Sequence, residues 1–345
     1  TVEDGETYFW NEQGLRELIT ADPNGSANFA KSATQLEDSN ATLTITSDLT
    51  IPKGFSVYMN YGQLAVSSGA TLTVEGQLEA GFDKVSGSIV AAEGATYNLF
   101  SEASTGAQLA SDLPKLGAAA AADKSGAQYS AYIISIGGVT VSGDLTVPAK
   151  VELFLGYQRA LTVTGKLTVE SGAYVYASEA LTVGSMEVKA DGTVNAYGGV
   201  RYGSALTVNG TVYLWDKSFG TGTTATITVG ADGKLMNGYE AITIADRWYV
   251  SDGATIENGG SLVVPVEHRG DLAGKANVTG NIYSVKMLTD AEASRSGALQ
   301  NAMAAFDGIS GKVDKEYFDV VVRNAQLWQP LQFTLPEDLT VGGTV

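Results

Sequence analysis

One pattern returns six times between residues 160 and 264: Ala160-Leu-Thr-Val163, Ala180-Leu-Thr-Val183, Ala205-Leu-Thr-Val208, Ala225-Thr-Ile-Thr-Val229, Ala241-Ile-Thr-Ile244 and Ser261-Leu-Val-Val264. Successive copies start 16 to 25 residues apart, most of them 20. Apolar residues alternate with Thr or Val in each copy, which is the period-2 pattern of a β-strand. A strand that recurs at a nearly fixed interval is typical of a solenoid, in which coil stacks on coil.

A second pattern, a glycine turn followed by a strand, recurs in step with the first. Its glycines are Gly172, Gly192, Gly210, Gly233 and Gly253, which lie 18 to 23 residues apart. We expect glycine there because it adopts backbone angles that residues with a β-carbon resist. Together the two patterns predict about three short strands per coil, for example at 161–163, 167–169 and 174–176.

The predicted fold is an all-β solenoid, a right-handed parallel β-helix with coils of about 20 residues. A single coil cannot bury its own apolar face, so its strands must pair with those of the next coil, about 4.8 Å away. We therefore expect Leu161 to lie under Leu181, then Leu206, then Ile227. The variable period argues against a left-handed hexapeptide β-helix. An antiparallel sandwich is the structural alternative, but it would not explain glycines in step with the strands.

An Asp-Leu-Thr marker indicates a larger unit that occurs three times. Asp48, Asp144 and Asp338 begin it, and the separations are 96 and 194 residues. Three short amphipathic α-helices accompany it, at residues 11–21, 105–122 and 290–306. Asn11 is expected to cap the first helix, and Pro114 to kink or split the second. We expect the helices to cap or interrupt the β-helix.

The markers predict three parts of the chain. Residues 1–96 form a helix cap with a short β-helix, residues 97–281 a second helix with a longer β-helix, and residues 282–345 the start of a third module. One continuous β-helix with helical excursions is the alternative, and the sequence does not decide between them. Because the third copy stops just after its marker, we expect the natural chain to continue past Val345 and this fragment to be monomeric.

Composition excludes several classes of function. The 38 acidic residues against 21 Lys and Arg give a formal net charge of −17. Nucleic acids and anionic membranes are therefore unsuitable partners, because both are bound through basic side chains. The absence of cysteine excludes disulfides, thiolate catalysis and Cys-bound metals. No cofactor is expected, and no run of 18 apolar residues predicts a membrane span.

Few residues offer catalytic or metal-binding chemistry. His268 is the only histidine, so a zinc site or a catalytic dyad has no second member. Asp191, Asp232 and Asp252 precede turn glycines and are explained most simply as Asp-Gly turns. Stacked on one edge, they could instead bind Ca²⁺ or act as paired carboxylates. No catalytic residue and no metal ligand is assigned.

Outward aromatic residues are the one feature that the repeat leaves unexplained. Strand alternation places Tyr174 and Tyr176 outward on either side of Val175, and Tyr213 and Trp215 in the same way. The residues predicted to form one strip are Tyr174, Tyr176, Tyr197, Tyr213, Trp215, Trp248 and Tyr249. Aromatic rings on successive coils form a surface on which sugar rings can rest, which predicts carbohydrate binding. The alternative is that the rings shield the sheet.

The motifs Ala-Leu-Thr-Val, Ser-Gly-Ala-Thr-Leu and Asp-Leu-Thr-Ile-Pro resemble those of repetitive extracellular surface proteins of Gram-positive, gut-type bacteria. Those proteins carry pectate-lyase-like right-handed parallel β-helices. The resemblance covers nearly the whole chain, and its motifs are structural. It implies secretion, cell-surface attachment, and contact with glycans or with host or cell-surface proteins. Pectate lyases use clustered Asp with Arg or Lys, and no such cluster is visible here, so no catalytic residue is carried over.

The sequence also predicts where the protein is found and what it does. The chain begins at Thr1 without a leader, which we interpret as a mature protein found outside the cell or on its surface. The first hypothesis is a non-enzymatic cell-surface or secreted β-helix that acts in adhesion or as a structural stalk. The alternatives are a carbohydrate-binding module, and a β-helix polysaccharide lyase or glycoside hydrolase. The enzyme would need two close carboxylates beside the aromatic strip.

Overall fold

The strands of this protein stack as a parallel β-solenoid of about 11 turns. The computed structural model describes residues 2–3, 6–32, 41–135, 137–216, 218–221, 224–238, 242–245, 247–265, 276–288 and 315–322. Apart from one antiparallel pair at the N-terminus, the paired strands are parallel in these ranges. The prediction of an all-β solenoid with short helices is confirmed.

The N-terminal part of the chain contains the two helices found among the described residues. In order, its elements are β1 (Val2–Glu3), β2 (Glu6–Phe9), α1 (Glu12–Ala21), β3 (Ser26–Phe29), β4 (Thr42–Ile45), β5 (Leu49–Ile51), β6 (Ser56–Val66), β7 (Thr71–Val74), β8 (Gln77–Val85), β9 (Ser88–Ala91), β10 (Thr96–Ala103) and α2 (Gly106–Ala121). Neither helix is long and apolar enough to cross a membrane, among the residues that the structure describes.

The described elements that follow α2 are strands. They are β11 (Ala131–Ser135), β12 (Val139–Val141), β13 (Leu145–Val147), β14 (Val151–Leu155), β15 (Leu161–Val169), β16 (Tyr174–Ala177), β17 (Leu181–Val188), β18 (Thr193–Ala196), β19 (Val200–Val208), β20 (Thr211–Leu214), β21 (Ser218–Gly220), β22 (Thr226–Val229), β23 (Lys234–Asn237), β24 (Ile242–Ile244), β25 (Arg247–Val250), β26 (Thr255–Pro265), β27 (Asn277–Leu288) and β28 (Lys315–Val322).

Each regular coil contributes three strand segments, which stack into three faces. Face A contains β2, β3, the first parts of β6 and β8, then β10, β11, β14, β16, β18, β20, β23 and the first half of β26. Face B contains β12, the first halves of β15, β17 and β19, then β21 and β24. Face C contains β13, the second halves of β15, β17 and β19, then β22 and β25. The strands predicted at 161–163, 167–169 and 174–176 lie on faces B, C and A.

The coil length varies, as the sequence indicated. Along face A, the residues paired in succession are Glu152, Tyr174, Thr193, Thr211, Lys234 and Thr255, and neighbours in this series are 18 to 23 residues apart. Turns of different length absorb the variation, while the paired segments keep their register.

The predicted core column is wrong at one step. Leu161 pairs with Leu181 on face B, but Leu181 then pairs with Val200 rather than with Leu206. Leu206 lies on face C, where it pairs with Met186. The repeated pattern changes face there. Both faces need the same alternation of buried and exposed residues, so a similar sequence does not fix which face a strand joins.

The turn glycines are required for two different reasons. Gly172 and Gly253 have positive φ angles of 71° and 86°, as predicted for glycine. At Gly192, Gly210 and Gly233 an added β-carbon would lie 2.2 to 2.9 Å from a carbonyl oxygen of the preceding coil. Close approach of two coils, and not the φ angle, is therefore the reason for glycine at those three positions.

Both helices occupy equivalent places in the solenoid. Each connects two neighbouring strands of face A, since β2 pairs with β3 on either side of α1, and β10 pairs with β11 on either side of α2. Each helix thus replaces the face B and face C strands of one coil. Asn11 and Thr105 cap the two N-termini through their side-chain oxygens, the first as predicted.

The second helix forms part of the core. Leu109, Leu113 and Leu116 are buried, as their spacing predicted. The structure records one uninterrupted helix through Pro114, so the predicted split is wrong, and the alternative, a kink, stays a prediction. A proline removes one backbone hydrogen bond. Burial of the leucine row compensates for that loss here.

Strand pairing crosses both predicted module boundaries. Strand β10 contains the 96/97 boundary and pairs with β8 before it and β11 after it. Strand β27 contains the 281/282 boundary and pairs with β26 and β28. The predicted helix at 290–306, His268 and Asp338 lie outside the described residues.

The Asp-Leu-Thr marker has a structural role. The Asp48 carboxylate accepts a hydrogen bond of 2.8 Å from the backbone N–H of Thr71, one coil further on. Asp144 accepts one of 2.7 Å from the backbone N–H of Lys166 in the same way. Both aspartates satisfy a backbone donor next to the strand segment that pairs with their own strand in the following coil, which is a structural reason for Asp at these two positions.

Candidate functional site: the outer surface of face A

The outward side chains of face A lie in rows along the solenoid axis. The first row contains Phe100, Tyr132, Glu152 and Tyr174, which are paired in succession. The second row contains Phe154, Tyr176, Asn195 and Tyr213. Tyr197 and Trp215 directly follow β18 and β20, and each donates its backbone N–H to the coil before. The strands of face A thus bring together residues that are about 20 positions apart in sequence.

Four rings on face A form what we call the aromatic ladder: Phe154, Tyr176, Tyr197 and Trp215. The rings of Phe154 and Tyr176 stack with centroids 4.8 Å apart at 6°. Those of Tyr197 and Trp215 stack at 5.3 Å and 8°. Tyr176 and Tyr197 join the two pairs at 5.6 Å with a tilt of 53°. Such pairs contribute roughly 0.5–1.5 kcal/mol each beyond the area they bury.

Trp215 is held on both sides. Its Nε1–H donates a hydrogen bond of 2.8 Å to Asn195 Oδ1 in the preceding coil. In the next coil, a β-carbon added to Gly238 would lie 2.6 Å from the indole ring, so the ring covers the backbone of that glycine. With Tyr197 on one face and Gly238 on the other, the indole presents chiefly its edge to solvent.

The ladder is nevertheless exposed. Phe154, Tyr197 and Trp215 keep 36%, 44% and 39% of their surface accessible. Because the rings stack along the axis, their edges and hydroxyl groups form the outer surface. Such a surface offers apolar edge contacts and hydrogen bonds, with few free ring faces for a flat ligand.

Of the other four residues predicted to form the strip, two lie on face A and two lie on face C. Tyr213 is half-buried in the second row, between Asn195 and Met236. Tyr174 lies in the first row, with its ring 5.8 Å from that of Tyr129. Both point outward, as alternation predicted.

Two predicted residues do not belong to the strip. Trp248 is fully buried on face C, where it follows Ile227 in the core column, so its assignment to an outward strip is wrong. Tyr249 is 54% exposed but lies on the outer surface of face C. Adjacent residues of a strand point to opposite sides, so only one of the two could be outward.

The three turn aspartates are exposed and separate from the aromatic ladder. Asp191, Asp232 and Asp252 each lie in the turn that precedes a face A strand. Asp191 has a φ of 60°, a left-handed conformation that Asp tolerates better than most residues. Within the described ranges, no three His, Cys, Asp or Glu residues are grouped closely enough to hold a metal ion.

A shallow groove of about 360 Å³ lies at the edge of face A, beside the first row. Strand segments of β10, β11 and β14 form it together with the loop after α2. Its lining residues are Ala95, Thr96, Tyr97, Asn98, Ala127, Tyr129, Ala131, Tyr132 and Glu152.

Glu152 gives the groove its electrostatic character. Burial raises the pKa of its carboxyl above the usual value. Burial likewise raises the pKa of Tyr129, Tyr132 and Tyr174, with the charge of Glu152 as a further cause in each. The Glu152 carboxylate makes no hydrogen bond or ion pair with any residue that the structure describes. An unpaired, half-buried acid among three tyrosines is the most distinctive chemical group here.

Sequence reasoning missed Phe154 and Glu152, although a signal was present. The segment Val151-Glu-Leu-Phe-Leu155 alternates strictly, and this alternation alone would have placed both residues outward. Tyr129 and Tyr132 had no comparable signal, since a loop and a helix of 16 residues separate them from the preceding strand.

No known protein family, curated protein or solved structure matches this chain. The resemblance to surface proteins of Gram-positive bacteria therefore stays a prediction. The geometry of face A is therefore the basis for the function proposed below.

Proposed function

We propose that this protein is a non-enzymatic, secreted or cell-surface β-solenoid that serves as a structural stalk in adhesion. The observation that carries the proposal is the use of outward side chains to join one coil to the next. Lys189 contacts Glu170 at 2.7 Å, and Lys166 pairs with Glu187, each across adjacent coils. Trp215 and Asn195 form a third such link.

These links suit a rod that bears load along its axis. About 11 turns at a spacing of roughly 4.8 Å give a length of about 50 Å. Each exposed ion pair contributes little, at most about 1 kcal/mol. Together, however, these contacts and the parallel strand pairing oppose separation of the coils in the direction in which a stalk is pulled.

Force spectroscopy tests the stalk. Pulled through its termini, the chain should unfold coil by coil, and each coil should release roughly 70 Å of contour length, because an extended residue spans about 3.5 Å. Antibody labelling of intact source cells should find the protein on the outside. Collapse of the whole fold at minimal force, or turnover in a panel of acidic and neutral polysaccharides, would contradict the proposal.

Carbohydrate binding at the aromatic ladder is the second candidate. It is favoured by one observation, namely the exposed edges of Phe154, Tyr197 and Trp215 on one continuous surface. A glycan that binds there would run across the coils and contact ring edges and the tyrosine hydroxyl groups. Among the described residues, no comparable observation favours the hypothesis of a β-helix lyase or hydrolase.

A glycan array with matched variants tests this second candidate. Trp215→Ala should weaken binding at least tenfold, while Tyr249→Ala, which removes an exposed ring from face C, should leave it unchanged. Far-UV circular dichroism shows whether both variants keep the solenoid. An array without bound glycans, or equal binding by both variants, would exclude the ladder as a carbohydrate site.

A further inference from the structure

We propose that the first row of face A, at the edge of this groove, binds a quaternary ammonium group on the Glu152 carboxylate, flanked by the rings of Tyr132 and Tyr174. This site is distinct from the aromatic ladder and adds a ligand to the proposed stalk. The inference does not depend on that role.

The spacing of the row suits such a cation. Tyr132, Glu152 and Tyr174 occupy the same register position on three successive coils. At about 4.8 Å per coil, the two tyrosines stand roughly 9.6 Å apart, with the acid between them. A cation that rests on the Glu152 carboxylate is about 5 Å along the axis from each tyrosine position, and ring faces attract cations within about 6 Å.

The neighbouring rings leave the right surfaces free. The ring of Tyr132 stacks on Phe100 at 5.6 Å and 17°, so one of its faces is covered on the side away from Glu152. Its other face is directed along the axis, toward the Glu152 position. Tyr129, whose ring lies 5.8 Å from that of Tyr174, adds a third aromatic wall.

A positive charge is what this groove lacks. Glu152 is half-buried without a described partner, and such a carboxylate gains free energy from a nearby cation. Glu79 and Glu102 add further negative charge around Tyr132. A quaternary ammonium fits better than a primary amine, because it is weakly hydrated and needs no hydrogen-bond acceptors beyond the carboxylate.

The test is a titration with tetramethylammonium chloride at pH 8, followed by NMR of the tyrosine rings, with sodium chloride at equal ionic strength as the blank. We expect saturable shifts at Tyr132 and Tyr174, with a dissociation constant in the millimolar range. Glu152→Gln should weaken binding at least tenfold. The uncharged analogue tert-butanol should not bind.

Matched variants separate the site from general charge effects. Glu257→Gln removes an outward acid from the same face, five coils away, and should leave the affinity unchanged. Tyr174→Phe should keep binding and Tyr174→Leu should lose it, because the ring face is what matters. Choline and N-acetyl-trimethyllysine amide show which tail the groove accepts. Absence of saturable shifts, or equal affinity in Glu152→Gln and Glu257→Gln, would overturn the proposal.

Discussion

At the scale of single residues, a repeated glycine has different causes in different coils. The backbone of Gly172 is in the left-handed conformation, and there is open space where a β-carbon would be. In the coil that follows, Asp191 adopts the left-handed conformation instead, and Gly192 lies against the carbonyl oxygen of Glu170. The turn therefore has two special positions, and a sequence that shows only Asp-Gly does not say which constraint applies.

Substitutions at Gly210 and Gly172 should separate the two constraints. Gly210→Ala places a β-carbon 2.3 Å from the carbonyl oxygen of Gly192 and should destabilise the protein by about 1–3 kcal/mol or more. Gly172→Ala should cost about 1–2 kcal/mol through its φ angle alone. Asn should partly restore stability at residue 172, where it tolerates the left-handed region, and should not do so at residue 210. Urea denaturation followed by circular dichroism measures each effect, and a rescue by Asn at both positions would contradict this explanation.

At the scale of elements, each helix is a substitute for two strands and must be fixed to the coil beside it. Glu12 does this for α1. Its carboxylate accepts 2.8 Å and 2.6 Å hydrogen bonds from the backbone N–H and the hydroxyl of Thr46, at the end of β4, and pairs with Arg16. Burial tends to raise the pKa of Glu12, but the hydrogen bonds from Thr46, Arg16 and Ser47 lower it from 4.5 to about 2.

This contact should make stability depend on pH. Because the pKa of Glu12 is lower in the folded state, its contribution is complete above pH 4.5 and is lost as the pH falls toward 2. Glu12→Gln should therefore be less stable than the natural protein at pH 7, and the difference should vanish near pH 2. Thermal unfolding at a series of pH values measures it.

Glu17 offers a matched control on the same helix, since Gln13 is the one described residue that donates a hydrogen bond to its carboxylate. Glu17→Gln should differ little from the natural protein at any of these pH values. A pH-independent difference for Glu12→Gln would show that shape, and not charge, makes the contact important.

At the scale of the whole molecule, stability is a sum over neighbouring coils. One coil runs from Tyr174 to the residue before Thr193, which pairs with it. Deletion of residues 174–192 removes that coil and lets β14 pair with β18 in the same register. The shortened protein should fold, with a similar circular dichroism spectrum per residue.

Deletion of about half a coil, residues 174–183, provides the contrast. It brings face B and face C strands opposite the wrong partners and exposes inward apolar residues, so the product should aggregate or unfold. Size-exclusion chromatography and thermal unfolding distinguish the two products. Equal stability of both deletions would mean that the coils are not the unit of this fold.

The sequence by itself determined the strand, the turn and the coil. Alternation of Leu and Val with Thr fixes which side chains are buried within one strand, because it is a property of a few consecutive residues. Helices α1 and α2, and the outward positions of Tyr174, Tyr176 and Trp215, followed from the same local rules. Trp248 was misplaced because the phase of its strand depends on the core column that it joins.

Only the tertiary structure decided register and the sites that depend on it. Whether Leu206 lies above Leu181 or above Met186 is set by the summed length of the intervening turns, which no local pattern encodes. The same register brings Tyr132, Glu152 and Tyr174 into one row and stacks the rings of the aromatic ladder in pairs. The local alternation in each coil determined that this chain forms a solenoid, and the non-local packing between coils decided what its outer surface presents.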